Sequence, residues 1–128
     1  REHIFGMSNI VILDKNMDVY PILPFTDVLI TDYSSIYYDY ILMENKGIIL
    51  FPFDYDEYIK NSRDLAFDYL TYTPGCKAWN FEELYRLLFS ESKLVPEERS
   101  WVIKQFWGDN YMESNKKIFE ALKGILKI

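Results

Sequence analysis

Three short apolar runs punctuate the first half of the chain: NIVIL (Asn9–Leu13), DVLIT (Asp27–Thr31) and GIILF (Gly47–Phe51). None alternates polar with apolar residues, so each predicts a buried strand rather than one lying on a half-solvated sheet. Between the first two, DVYPILPF predicts a brief helical turn limited by its prolines. Between the second and third, SSIYYDYILMEN predicts a helix beginning at the serines. Continuous apolar strands separated by helical segments imply an α/β fold, a Rossmann-like parallel sheet with flanking helices on both faces.

After Phe51 the pattern loses its period. DYDEYIKNSRDLAFDYL reads as a loop with short helices, and YTPG as a turn. NFEELYRLLF opens on Asn80 with Glu83 three residues later, an approximate capping box ahead of Leu84, Leu87 and Leu88. PEERSWVIKQFW places Pro96 in a helical first turn. YMESNKKIFEALKGILKI spaces Met112, Ile118, Phe119, Leu122, Ile125 and Leu126 as one face of a helix. Three strands followed by three helices amount to about half of a nucleotide-binding domain. The 128 residues are expected to form a single α/β domain, a piece of a longer protein.

Composition narrows the choice of ligand. The net charge of −6 argues against a nucleic-acid backbone as partner. An anion would have to be held by local donors rather than by a basic surface. Aromatic residues make up 18% of the chain, more than one core needs, so some should line a groove or face a neighbour. Cys76 is the only cysteine, so no internal disulfide can form. No apolar run reaches membrane-spanning length.

The informative stretch is Thr31-Asp32-Tyr33-Ser34-Ser35, which follows a strand and opens a helix. In open parallel sheets ligands sit beyond the carboxyl ends of strands, where free backbone N–H groups meet them. A phosphate can accept from such donors, and serine hydroxyls add more. Helix capping is an equally sound use of a serine, one hydroxyl serving each role. A serine hydrolase is excluded: there is no Gly-x-Ser-x-Gly elbow, and the single histidine, His3, is far off in sequence. Asp32 suits a loop brace, Tyr33 the core or a stack on a base, with the core preferred, and Asp39 a structural contact. Arg63 suits a phosphate, or an ion pair with Asp56, Asp64 or Asp68. Asp56 and Glu57 suit hydroxyl groups. The carboxylates lack regular ligand spacing, so no metal or other cofactor is assigned.

DVLITDYSSIYYDY, then FDYDEYIKNSRDLAFDY, then TPG, together spanning roughly Asp18 to Gly75, resemble the CDP-glycerol glycerophosphotransferases of teichoic-acid and capsule synthesis. The resemblance implies a two-domain GT-B architecture, with this chain the bulk of the nucleotide-binding C-terminal half and the N-terminal acceptor domain outside it. It implies transfer of an alditol phosphate from CDP-glycerol or CDP-ribitol to a polymer or lipid-linked hydroxyl, at the cytoplasmic face of the membrane. Ser34 and Ser35, with Thr31 and Asp32 in the same block, would meet the donor's phosphates. Asp27 would sit at the mouth of the site, and Asp56 and Arg63 on a loop closing over the donor. The family's histidine motifs have no match here beyond His3. Lys46-Gly47 stands where Lys-Pro is common, and NYMESNKK keeps Ser114 and Lys116 but not the family's glycine.

Two other readings share these features: a GT-B sugar transferase using UDP- or GDP-sugars, and a non-catalytic glycan- or protein-binding domain. The last helix, with Lys116, Lys117, Lys123 and Lys127 near its polar face, suits packing on the chain's own sheet or on a missing half, or an anionic membrane surface. Self-association of the chain would also hide its aromatic face.

Overall fold

The computed structural model describes residues 9–61, 66–90, 96–109 and 111–126. Its sheet has three parallel strands in the order β1 (Val28–Thr31), β2 (Gly47–Leu50) and β3 (Cys76–Lys77). Val28 pairs with Gly47 and Thr31 with Leu50, while Ile49 pairs with Cys76. The chain passes from β1 to β2 through α1 (Ile36–Tyr40), and from β2 to β3 through α2 (Tyr55–Asn61) and α3 (Tyr69–Tyr72). Three further helices follow: α4 (Phe81–Leu88), α5 (Pro96–Phe106) and α6 (Ser114–Leu126).

β2 is the centre of the fold, buried at every position as its unbroken apolar run requires. Its alternating side chains feed two cores. Ile48 and Leu50 join Tyr37, Tyr40, Ile41, Tyr69 and Val102 on the side of α1 and α5. Ile49 joins Ala78 and Leu84 on the side of α4. The tyrosines enter the core because their hydroxyls find acceptors: Tyr37 donates to the Pro74 carbonyl at 2.9 Å, and Tyr40 lies 2.9 Å from Thr26 Oγ1. Burial raises the Tyr37 phenol well above its ordinary pKa, so it stays a donor.

α4 begins as its sequence dictates. Asn80 Oδ1 accepts from the Glu83 N–H at 3.0 Å, and Glu83 Oε2 reaches back to accept from the Trp79 N–H at 2.8 Å, one residue before the cap, a variant of the capping box. The prolines limit DVYPILPF to a 3-10 turn over Leu23–Phe25. Asn45, at φ 63°, turns the chain ahead of β2.

Four expectations change. Asn9–Leu13 is not a strand. Its apolar side chains are exposed, because an extended segment becomes a strand only through a paired neighbour, and none of the described residues pairs with it. The third strand is Cys76–Lys77 instead. β1 is exposed at Val28 and Ile30, which share a face with Ile49; α4 covers that face at β2 but stops short of β1. The helix after the serines ends at Tyr40, where the chain tightens into i→i+3 bonds from Leu42 to Asp39 and from Met43 to Tyr40, although Leu42, Met43 and Glu44 favour a helix by themselves. Lastly, α6 does not pack on the sheet: Ile118, Phe119, Leu122, Ile125 and Leu126 are all exposed.

Candidate functional site

A cavity of about 160 Å³ opens beyond the carboxyl end of β1, where the topology of a parallel sheet directs ligands. Ser34 and Ser35 stand on its rim, both exposed. The two serines divide their work. Ser34 Oγ accepts from the Ile36 N–H at a long 3.4 Å, whereas Ser35, the residue before α1, makes no capping bond with its side chain. The first N–H groups of α1 are already used, Tyr37 donating to the Ser34 carbonyl and Tyr38 to that of Ser35. A helix of five residues also has little dipole to offer. The groups at this rim that could donate to an anion are the serine hydroxyls and the loop amides of Ser34 and Ser35, one step upstream of the first turn of α1.

The rest of the cavity is aromatic. Tyr33, Tyr38, Phe67 and Tyr69 form its walls, with Thr73 and Asp32 completing the lining. Tyr33 is fixed on one face by Tyr58, stacked at 3.8 Å and 12°, and donates its hydroxyl to Asp54 Oδ1 at 3.1 Å. Tyr69 donates to the Asp32 carbonyl at 3.1 Å, tying α3 to the end of β1. Burial lifts both phenols well above the ordinary tyrosine pKa, and for Tyr33 the Asp54 carboxylate adds to it, so both remain donors at neutral pH. Behind this wall Lys77 donates to the Thr73 carbonyl and lies 5.9 Å from the Tyr69 ring centroid. Desolvation lowers the pKa of its ammonium.

The structure sorts the residues singled out by sequence. Asp32, Ser34 and Ser35 meet at the cavity, and Thr31 ends the strand that leads to it, its carbonyl accepting from Phe51 at 2.7 Å. Asp27 does not join them. It precedes β1, whose four residues at about 3.3 Å each span roughly 13 Å, so it lies at the strand's other end. Asp56 lines a separate cavity of about 570 Å³ past the end of β2, with Asp54, Glu57, Phe53 and Trp79. Arg63, His3 and Lys127 lie outside the described residues. Asp39 has a structural role, accepting from the Tyr20 hydroxyl at 2.6 Å. Among the described residues no group of three His, Cys, Asp or Glu side chains could hold a metal ion. Sequence reasoning missed Tyr38, Phe67, Tyr69 and Thr73. All four lay inside the stretches that carry the family resemblance, and three of them within the aromatic excess, but neither signal says which residues face a cavity.

The sequence profile of the CDP-glycerol:poly(glycerophosphate) glycerophosphotransferases matches residues 5–106, which contain β1, the serine loop and every wall of the cavity. The chain belongs to this family. Among its relatives is the teichoic acid poly(ribitol-phosphate) polymerase of Bacillus spizizenii, 31% identical over 82% of this chain and 16% of that protein. The teichoic acid ribitol-phosphate polymerases TarL and TarK of Staphylococcus aureus are 36% and 34% identical, over 73% and 66% of this chain. The chain spans under a fifth of the length of these relatives. The family is described as glycerophosphotransferases, and these relatives are described as teichoic acid polymerases. No helix among the described residues is long and apolar enough to cross a membrane.

Proposed function

We propose that this chain is the donor-binding region of an alditol-phosphate transferase, taking CDP-ribitol or CDP-glycerol at the serine cavity. One observation carries the reading: Ser34 and Ser35, from the block that resembles the family, stand exposed at an open cavity past β1 rather than sealed in the core. The names of the relatives favour ribitol as the alditol. The chain is then part of the C-terminal half of a GT-B enzyme working at the cytoplasmic face of the membrane, with a polymer or lipid-linked acceptor held by the other half.

In the reaction an acceptor hydroxyl oxygen attacks the donor's β-phosphorus in line. The bond from that phosphorus to the oxygen bridging to CMP breaks, CMP leaves with the electron pair, and the hydroxyl proton passes to a base supplied by the longer protein. The serine loop contributes positioning and electrostatic stabilisation. Fixed hydroxyl and amide dipoles meet charge that grows on the diphosphate oxygens as CMP departs. An acidic chain can do this because the donors are neutral dipoles, not cations.

The test is calorimetric titration of this chain with CDP-ribitol and CDP-glycerol, followed by a transfer assay with a poly(alditol phosphate) acceptor. Saturable binding of a CDP-alditol without transfer is expected. Absence of binding, or turnover by this chain alone, contradicts the reading.

A further inference from the structure

We infer that the aromatic interior of the serine cavity is a slot for the donor's pyrimidine ring, with the Asp32 carboxylate reading its exocyclic amine. The inference rests on the donor-site reading above and assigns which part of the donor goes where. A diphosphate fits the rim but not the interior: walls of Tyr33, Tyr38, Phe67 and Tyr69 would strip its water and return few hydrogen bonds. A flat, uncharged ring meets the opposite balance, gaining stacking and losing little solvation. Size agrees. The cavity, about 160 Å³ and open on one side, has room for one flat ring.

Phe67 is the wall free to stack. Tyr33 already has Tyr58 stacked flat on one face, whereas Phe67 is 50% exposed. Its ring neighbours, Phe106 edge-on at 5.1 Å and 88° and Tyr72 tilted at 5.4 Å and 48°, leave it no parallel stacking partner among the described residues. Asp32 is the polar reader. Its backbone carbonyl is occupied by the Tyr69 hydroxyl, and the residue is exposed and lines the cavity. A carboxylate accepts from the N4 amine of cytosine and repels the O4 carbonyl that uracil carries at the same place. Ring selection and cytosine selection thus fall to two different residues.

The experiment is calorimetry on the full chain with CDP, UDP, GDP and inorganic pyrophosphate, for wild type, Phe67→Ala, Phe67→Leu and Asp32→Asn, each variant checked by circular dichroism. CDP should bind more tightly than either UDP or GDP. Phe67→Ala should weaken CDP about tenfold or more and leave pyrophosphate unchanged, with Phe67→Leu in between. Asp32→Asn should bring CDP and UDP within about twofold of each other. GDP binding as well as CDP, or Phe67→Ala and Phe67→Leu leaving CDP unaffected or weakening pyrophosphate equally, overturns the slot while leaving the donor site standing. Failure of CDP and pyrophosphate alike to bind overturns both.

Discussion

Arg99→Met should destabilise this chain by about 2–4 kcal/mol, a large part of the roughly 5–15 kcal/mol typical of a small domain. Arg99, on α5, donates through Nη1 to the Ile41 carbonyl and, at 2.7 Å, to that of Met43, and through Nη2 at 2.9 Å to that of Lys46. These carbonyls end α1 and lead into β2, where the helix leaves acceptors without partners. Methionine keeps the stem and removes the fork. Each charged hydrogen bond contributes roughly 1.5–3 kcal/mol when buried, and water reaching this half-buried site recovers part of the sum. Lysine should rescue little, since one ammonium cannot span three carbonyls in a plane. Urea unfolding measures the effect, and a loss below about 1 kcal/mol would contradict it. Because the clamp holds the end of α1 away from the serine loop, the folded variant should bind CDP as the wild type does.

The double substitution Ser34→Ala, Ser35→Ala should act in the opposite sense, costing little stability and most of the affinity for a CDP-alditol. Ser34 gives up one long cap to Ile36, and Ser35 makes none. Both hydroxyls are lost to the diphosphate. At about 1.5 kcal/mol for each hydrogen bond to a charged group, affinity should fall on the order of a hundredfold. The single variants should divide it unequally, with Ser35→Ala the weaker binder because that hydroxyl has no competing role. Calorimetry of the three variants alongside urea unfolding separates the two losses. Unchanged affinity in the double variant would mean that the serines only shape the turn.

Residues with strong local patterns were legible in the sequence. Gly47–Leu50 reads as a buried strand because every side chain is apolar, and Asn80 with Glu83 reads as a cap because the contact is local. The serine loop is legible for a similar reason: a strand ending in Thr-Asp and a helix starting at serines define the turn between them. Features set by partners distant in sequence were not. Asn9–Leu13 has a strand's composition but no neighbour to pair with among the described residues, whereas Cys76–Lys77, two residues long, is a strand only because β2 lies beside it. The walls escaped notice because Phe67, Tyr69 and Thr73 reach Tyr33 and Tyr38 across about thirty residues or more. The amphipathic pattern of α6 is real, yet its apolar side chains stay exposed, so periodicity told which face is apolar and not what covers it.

The central claim, that the loop after β1 holds a diphosphate through hydroxyls and amides, is tested most directly by following backbone amide resonances as CDP is added to the nitrogen-15-labelled chain. The account expects the largest shifts at the Ser34 and Ser35 amides, saturating together with a single dissociation constant. Saturating shifts that leave both serines in place and gather elsewhere, as at Asp56 and Trp79 past the end of β2, would contradict it.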